Sequence, residues 1–371
     1  MATLTMGAMG KARTHDQAAI RPVPLLRRPT HIPERARFPV IDAHNHLFGD
    51  PAADTMIATM DAAGVEKFLN VSGNVTMPIE HGGYVIRRRP FSEFRQGWME
   101  RYPGRFAAFT MAEFACWDDF RLFRGPGGAR GFVERCIQRL EADVAEGACG
   151  LKVTKELGLR FTDEAGRMIA VDDERLFPVW RRAGELGLPV LIHVSDPIGF
   201  FLPIDSANEH LPTLREFPGW SFHGSFYGKD ELIAQRDRMI AAHPGTRFLL
   251  PHVANYPEDL ELVAKLLARF PNVSIDFSAR MDELGRQPWS ARDFMITWQD
   301  RILFGSDMPL STAMYRCYFR FLETRDEYFE PIDYLGREGH ARWRIHGLDL
   351  PDEALRKIYR ENAVRLVPQL A

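Results

Sequence analysis

Eight short apolar segments alternate with helix-forming segments along the chain, and this alternation restricts the possible folds more than any other feature. Parallel strands need a crossover helix between them, and closing the sheet into a barrel removes its edges. No glycine-rich phosphate loop follows an early strand, which disfavours an open doubly wound sheet. We therefore predict an α/β fold of the (β/α)8 TIM-barrel type. The predicted strands cover residues 40–47, 65–71, 106–110, 150–154, 189–194, 248–252, 273–277 and 302–307.

Three segments lie outside this alternation. Residues 1–37 contain several prolines and arginines without a compact apolar run, so we predict an extended N-terminal arm, with disorder as the alternative. Residues 196–228 and 308–350 are long loops after the fifth and eighth strands. Both loops leave the C-terminal mouth of the predicted barrel, where barrel enzymes place their active sites. The sequence thus predicts one barrel domain over residues 38–371, with the two loops covering its pocket.

The composition disfavours several kinds of partner. The net charge is only −3 over 371 residues, so neither a nucleic acid nor a charged membrane surface is an expected partner. No apolar run approaches the length of a membrane span. The four cysteines are far apart and form no Cys-x-x-Cys pair, which fits a reducing cytoplasm. We expect a cytoplasmic protein that acts on a small-molecule substrate.

The first predicted strand contains two histidines separated by one residue. His44 and His46 point to the same side of an extended strand, about 7 Å apart, because side chains alternate between its faces. This spacing allows both rings to bind one cation. A turn with two surface histidines is the alternative for a single His-x-His motif, so the prediction of a metal site depends on the other strand ends.

Three other strand ends carry residues of the same kind. His193 and His252 lie at the ends of the fifth and sixth strands, and Asp307 ends the eighth. In a barrel these ends surround one mouth, although each histidine alone is more typical of a core residue. Imidazole and carboxylate are typical ligands of a catalytic zinc, manganese or iron ion. The sequence therefore predicts a metal site with an open coordination position.

The strand-end motifs resemble the amidohydrolase superfamily, in particular its aminocarboxymuconate-semialdehyde decarboxylase-like branch. The resemblance extends over roughly residues 38–368 and implies a metal-dependent barrel enzyme. The resemblance rests on the motifs IDAHNH, LIHVSD, LPHVAN and ILFGSDMP at strands one, five, six and eight, and on IYRENAVRLV in the closing helix.

The resemblance also implies roles for single residues. His44, His46, His193 and Asp307 would bind one divalent ion, with zinc expected first and manganese or iron as alternatives. His252 would act beside the bound water as an acid/base and electrostatic partner. The residue types agree with these roles, because a bound cation lowers the pKa of its water to about 7 and Asp307 can accept the proton. Asp307 and His252 are therefore the predicted catalytic residues.

Two cationic residues are candidates for substrate binding. Lys152 lies on the fourth strand, where binuclear members of the superfamily carry a carboxylated lysine that bridges two ions. We favour one ion, with Lys152 paired to an acid or to a substrate carboxylate. Arg280 follows the seventh strand and can bind a carboxylate through a bidentate fork, the alternative being a surface ion pair with Asp282 or Glu283.

These features predict a metal-dependent hydrolase that uses a metal-activated water on a small, carboxylated organic substrate. The alternative is a non-hydrolytic, metal-dependent decarboxylase of a small unsaturated or aromatic acid, and the second alternative is a metal-free binding barrel. We also predict a homodimer, because the 308–350 loop is rich in aromatic residues that we expect to be exposed. These residues are Tyr315, Tyr318, Phe319, Phe321, Tyr328, Phe329 and Tyr334.

Overall fold

The computed structural model describes residues 25–80, 83–117, 119–333, 335–337 and 343–371. Parallel strands form two sheets, one with the order β1-β2-β3 and one with the order β8-β7-β6-β5-β4. This arrangement confirms the predicted α/β fold. The strands are β1 Val40–Asn45, β2 Val65–Asn70, β3 Phe106–Ala108, β4 Leu151–Val153, β5 Pro189–Ile192, β6 Arg247–Leu250, β7 Val273–Asp276 and β8 Ile302–Leu303.

Backbone hydrogen bonds also join the two sheets at both of their edges. Past the end of β3, Lys152 N donates to Thr110 O at 2.8 Å. On the opposite edge, Ala43 N donates to Phe304 O at 2.9 Å, just past β8. The loops that follow all eight strands consequently surround one cavity.

Helices follow most of the strands and cover the outside of the sheets. The helix after β8, α10, lies in the 308–350 loop, and the last helices close the chain. The helices are α1 Ala53–Ala63, α2 Phe91–Phe94, α3 Gly128–Ala145, α4 Phe177–Glu185, α5 Leu211–Glu216, α6 Lys229–Ala241, α7 Leu260–Arg269, α8 Met281–Gly285, α9 Pro288–Thr297, α10 Thr312–Glu323, α11 Asp352–Arg356 and α12 Asn362–Leu366. Within the described residues, no helix is both long and apolar enough to span a bilayer.

The strands are apolar on both faces because each face packs into a separate part of the core. Side chains such as Phe68 and Phe248 point outwards to the helices. The inward side chains form a second cluster, closed at the bottom by residues of α12 and the C-terminal turn. Its strand members include Ile41, Ala43, Leu69, Ala107, Leu191, Leu249 and Leu303. Burial on both faces is typical of parallel sheets and explains the near-continuous apolar runs.

Several predicted strands extend beyond the observed ones at their C-terminal ends. β8 ends at Leu303, so Asp307 lies in the following loop. β6 ends at Leu250, and His252 lies in a turn. The backbone leaves the sheet because His252 and Asp307 adopt positive φ angles of 58° and 48°. His252 and Asp307 are therefore loop residues directly above the sheet, whereas His44 lies within β1.

The 308–350 loop is less exposed than expected. It contains α10, which packs against α1. Most of its aromatic side chains are buried, namely Tyr315, Tyr318, Phe319, Phe321 and Phe329. The expected exposure is thus wrong for these residues, whereas Tyr328 is 39% exposed and Tyr334 lies outside the described residues. The homodimer loses this support and stays a prediction.

The described part of the N-terminal arm, residues 25–37, contains neither helix nor strand and lies along the end of α10. His31 N donates to the Asp326 carboxylate at 2.8 Å, and Arg37 N donates to Glu323 Oε1 at 3.0 Å. Residues 1–24 lie outside the described residues. These contacts attach the arm to the outside of the domain, away from the mouth.

Candidate metal centre

Three side chains at the mouth form a cluster that can hold a metal ion. One ligand atom each from His44, His46 and Asp307 lies within 4.8 Å of the other two. His46 Nε2 lies 3.7 Å from Asp307 Oδ1, and His44 Nε2 lies 3.9 Å from Asp307 Oδ2. Asp307 Oδ1 is buried and has no hydrogen-bond partner among the described residues. An orphaned carboxylate oxygen between two imidazoles fits a bound cation.

His44 in β1 and His46 just after it are oriented by groups behind them. His44 Nδ1 lies 2.8 Å from Asp276 Oδ2 and 3.0 Å from Ser278 Oγ. His46 Nδ1 lies 2.7 Å from Ser72 Oγ. A proton on His44 Nδ1 satisfies the Asp276 carboxylate and leaves the Nε2 lone pair for a metal ion, as is usual for ligating histidines. Both Nε2 atoms therefore face Asp307.

Burial and neighbouring charges together set the protonation states of His46 and Asp307. It lowers the pKa of His46 to about 3, so the ring is neutral at pH 7. Burial alone raises the pKa of Asp307, but the nearby His44, His46 and Lys152 bring it below the ordinary value. Metal ions bind neutral imidazole and ionised carboxylate, so His46 and Asp307 can bind a cation without first losing protons.

His193 lies beside the cluster rather than in it. Its Nε2 lies 3.0 Å from the Ser195 carbonyl oxygen and 3.4 Å from Asp196 Oδ1. The ring centroid is 4.5 Å from that of His252. Burial lowers the pKa of His193 to about 4, so this ring is neutral as well. The role of His193 as a metal ligand stays a prediction.

His252 lies beside Asp307 at the mouth, and its acid/base role stays a prediction. Its Nδ1 contacts the Ser278 carbonyl oxygen at 2.8 Å, and its Nε2 lies 3.5 Å from Asp307 Oδ2. Among the described residues no group forms a hydrogen bond with this Nε2, although it is buried. Burial holds the pKa of His252 well below its ordinary value. The ring is thus a neutral group whose open nitrogen faces Asp307.

The turn that carries His252 is strained. All four residues from His252 to Asn255 have φ angles between 51° and 61°. Val253 is β-branched, and such residues rarely adopt this conformation. Buried cations support the turn, since Lys229 Nζ donates to Asn255 O at 2.6 Å and the Arg236 guanidinium donates to Ala254 O. Backbone strain of this kind is concentrated at functional sites.

The two predicted substrate-binding residues are both buried at the cavity. Lys152 Nζ lies 3.2 Å from His44 Nε2, and burial lowers the pKa of Lys152 to about 8. Within the described residues no carboxylate oxygen lies within 4.0 Å of Lys152, so the expected acid partner is not seen. Arg280 is only 4% exposed and contacts Asp196 Oδ1 at 3.1 Å. The alternative of a surface ion pair for Arg280 is therefore wrong.

The sequence analysis missed several charged residues at this cavity, among them Asp196 and Lys155. Asp196 lies between Arg280 and Lys155, with the Lys155 ammonium group donating to its second oxygen. Burial alone raises the pKa of Asp196, but Lys155, His193 and Arg280 hold it well below the ordinary value. Asp196 belongs to the LIHVSD motif, so the motif contained a signal for it. Lys155 follows β4 without any recognisable pattern.

The cavity above the cluster has a volume of about 630 Å³ and two chemically different walls. The loops after β1, β2 and β3 supply an apolar wall of Phe48, Met77, Ile86 and Trp117. The loops after β4, β5 and β7 supply a charged wall of Lys155, Glu156, Asp196 and Arg280. Residues of the two long loops complete the lining, namely Phe200, Glu216, Phe217, Trp220, Pro309, Leu335 and Arg337.

A metal-capable cluster above the C-terminal ends of parallel strands defines the class of metal-dependent α/β enzymes. Comparison with protein families agrees, since the family model described as Amidohydrolase matches residues 41–369. The chain belongs to this amidohydrolase family, as the strand-end motifs predicted, and the family implies a divalent metal. No curated protein sequence matches the chain.

Solved structures with a similar fold include enzymes and one uncharacterised protein. A 2,6-dihydroxybenzoate decarboxylase from Rhizobium is 18% identical over 90% of this chain and 98% of its own, with a TM-score of 0.51. A TIM-barrel protein from Bordetella bronchiseptica is 16% identical over 90% of this chain and 99% of its own, with a TM-score of 0.50. A dihydroxybenzoic acid decarboxylase from a Polaromonas species is 14% identical over 88% of this chain and 96% of its own, with a TM-score of 0.50. That structure contains bound manganese and the inhibitor 2-nitroresorcinol. At these identities the likeness concerns the fold.

Proposed function

We propose that the protein is a metal-dependent hydrolase of a small aromatic or similarly planar carboxylate. The observation that carries the proposal is the cluster of His44, His46 and Asp307, with the open Nε2 of His252 at 3.5 Å from Asp307. A divalent ion bound there would supply Lewis acidity and a water of lowered pKa. Asp307 would accept the proton of that water, and His252 would stabilise negative charge that develops on the substrate.

The cavity walls support a planar, anionic substrate. Phe48 and Trp117 on the apolar wall offer ring faces against which a flat group can pack. The described lining contains as many cationic as anionic side chains, so a bound divalent ion would leave the cavity positive. A positive cavity attracts carboxylates. Arg280 would bind the carboxylate through its planar fork of donors.

The second candidate is decarboxylation of an aromatic acid at the same site. It is favoured by the combination of an apolar wall with buried cations, and by the fold likeness to two enzymes whose names describe dihydroxybenzoate decarboxylation. In that reaction Asp307 or His252 would transfer a proton to the ring carbon that loses carbon dioxide. A metal-free binding barrel is the third possibility.

We also propose finer features of the fold and the cofactor. A closed (β/α)8 barrel is supported by the backbone hydrogen bonds at both sheet edges. A single zinc ion, with manganese or iron as alternatives, is supported by the imidazole and carboxylate donors. His193 would become a further ligand if its ring turned away from the Ser195 carbonyl. A second ion bridged by carboxylated Lys152 would require Lys152 Nζ to leave His44.

One experiment separates these candidates. Purified protein is analysed for bound metal and then incubated with a panel of aryl carboxylates, their esters and their amides in ¹⁸O-labelled water. Hydrolysis places one labelled oxygen in the product, whereas decarboxylation releases carbon dioxide and leaves the product carbon protonated from solvent. A chelator should abolish either reaction and lower the unfolding midpoint. Protein that contains no metal and is unaffected by the chelator would contradict both enzymatic proposals.

A further inference from the structure

Two tyrosines of α10 direct their hydroxyl groups towards the segments that carry the site residues. Tyr315 and Tyr318 are both fully buried. Tyr315 OH donates to Asp42 Oδ2 at 2.8 Å, and Tyr318 OH donates to Ser306 O at 3.1 Å. The Tyr318 hydroxyl oxygen also accepts from Ala279 N at 2.9 Å. Through these two hydroxyl groups, α10 contacts β1 and the loops after β7 and β8.

The position of Asp307 depends on the backbone of the loop after β8. Among the described residues no group forms a hydrogen bond with Asp307 Oδ1, and Asp307 has a φ angle of 48°. Asp307 N and Ser306 N both donate to His44 O, at 2.9 Å and 3.1 Å. Ser306 N and the Ser306 hydroxyl also donate to the Asp42 carboxylate, which accepts from Tyr315 as well. A change in the hydrogen bonds of Ser306 is therefore transmitted to the Asp307 carboxylate next to it.

The loop after β7 is bonded to Tyr318 at the residue before Arg280. This residue, Ala279, adopts a φ angle of 50°, which is uncommon for residues other than glycine. The preceding Ser278 O contacts His252 Nδ1 at 2.8 Å. The hydrogen bond from Ala279 N to Tyr318 therefore supports a strained residue between the partner of His252 and the arginine.

We propose that the two tyrosines are positioning residues for the metal centre and for the carboxylate-binding arginine. Tyr318 orients Asp307 and Arg280, because it bonds to the residue before each of them. Tyr315 orients Asp307 alone, through Asp42. The loss of a group that supports a metal ligand without touching the ion typically lowers metal affinity by about 10-fold to 100-fold. This inference rests on the proposed function, because it concerns the metal and carboxylate sites of that function.

Tyrosine-to-phenylalanine variants separate this role from packing in the core. The Tyr318 ring packs edge-to-face against Phe304, with centroids 5.5 Å apart, and phenylalanine keeps that contact. In Tyr318→Phe, Ala279 N retains its second hydrogen bond, to Ser306 O at 3.1 Å, so the protein should still fold. The variant therefore removes a hydroxyl group and little else.

The first test measures zinc affinity by competition with a chelator of known affinity. Tyr318→Phe and Tyr315→Phe should each weaken zinc binding by about 10-fold. The matched control is Tyr359→Phe, whose hydroxyl is equally buried but donates to Glu323 Oε1 at the C-terminal end of α10. This control should bind zinc within about twofold of the wild type. Each variant loses one buried hydrogen bond, so all three should lower the unfolding midpoint by a similar amount, about 1–4 °C.

The result that would contradict the proposal is the same zinc affinity in all three variants. The hydroxyl groups of Tyr315 and Tyr318 would then serve the fold alone, as that of Tyr359 does, and the positioning role would be overturned.

The second test observes the surroundings of the ion. Co²⁺ is loaded in place of zinc, because its visible absorption bands depend on the geometry of its ligands. Tyr318→Phe and Tyr315→Phe should shift or weaken these bands, whereas Tyr359→Phe should give the wild-type spectrum. Identical spectra in the four proteins would overturn the proposal, even if their stabilities differed.

The third test separates the two tyrosines. In zinc-saturated protein, Tyr318→Phe should raise the Kd for benzoate by about threefold to tenfold, because Arg280 loses its support. Tyr315→Phe should leave this Kd within about twofold of the wild type. Equal effects of the two variants, or wild-type protein that binds no benzoate, would overturn the link between Tyr318 and Arg280.

None of these tests needs turnover, so the positioning role and the proposed reaction can fail separately. Zinc binding that depends on both hydroxyl groups, in protein that hydrolyses none of the aryl compounds, would contradict the hydrolase and support the positioning role. Hydrolysis with the same zinc affinity in every variant would do the reverse. Protein that takes up neither zinc nor cobalt would overturn both.

Discussion

The two walls of the cavity differ in chemistry although the same parallel strand pattern builds both. The loops after β1 to β3 supply apolar side chains such as Phe48 and Trp117, and the loops after β4, β5 and β7 supply charged ones such as Asp196 and Arg280. The metal-capable cluster lies between them. For the proposed substrate, the apolar wall would pack against the ring and the charged wall would bind its substituents. Substitutions in the cluster should then have the largest effect, those in the charged wall a smaller one and those in the apolar wall the smallest.

The largest effect is expected from a substitution of Asp307, which belongs to the cluster. Asp307→Asn keeps the shape but removes the negative charge and the proton acceptor, so turnover should fall by about 100-fold or more with the fold intact. Metal analysis, circular dichroism and steady-state rates measure this. The control is Asp293→Asn on the exposed side of α9, which should retain the wild-type rate. Wild-type turnover in Asp307→Asn would exclude Asp307 from catalysis.

A smaller effect, although still a large one, is expected when the hydrogen-bond partner of His44 Nδ1 is replaced. Asp276→Asn removes the carboxylate 2.8 Å from His44 Nδ1, so metal affinity should fall by about 10-fold to 100-fold. Ser72→Ala removes the weaker, neutral partner of His46 and should reduce affinity less. Competition with a chelator of known affinity gives the ranking. If Ser72→Ala weakened metal binding more than Asp276→Asn, the assignment of His44 as the better supported ligand would be wrong.

The charged wall should control the affinity for the carboxylate. Arg280→Met removes the guanidinium, so the Kd for benzoate in metal-loaded protein should rise by about 10-fold. Arg280→Lys keeps the charge but loses the planar fork and should have an intermediate Kd. A neutral analogue, benzamide, should bind the three proteins nearly equally. If the Arg280 substitutions raised the Kd of benzoate and of benzamide to the same extent, the carboxylate would not bind at Arg280.

The apolar wall should give the smallest effect. Phe48→Leu keeps an apolar side chain but loses the ring face, which costs about 0.5–1.5 kcal/mol of aromatic contact and raises the KM by about twofold to tenfold. The kcat should change less than the KM, because leucine can still pack against the His46 ring, whose centroid lies 5.3 Å from that of Phe48. A fall in kcat as large as the rise in KM would mean that the apolar wall also positions the reacting atoms.

The sequence by itself determined the alternation of strands and helices and the first part of the site. Short, near-continuous apolar runs bounded by turn residues are local signals, and they predicted the eight parallel strands to within a few residues. His44 lies in β1 and His46 directly follows it, so their common direction was predictable from local geometry. The family followed from the same short motifs.

Only the tertiary structure decided which partner each side chain meets. His44 contacts Asp276, 232 residues away, and His193 turns to Ser195 and Asp196 instead of the cluster. The aromatic residues of α10 proved to be buried because the helix packs on α1. Whether a polar side chain is paired, open or strained depends on groups that folding brings from distant parts of the chain. No pattern within β4 could therefore have revealed that Lys152 Nζ lies 3.2 Å from His44 Nε2.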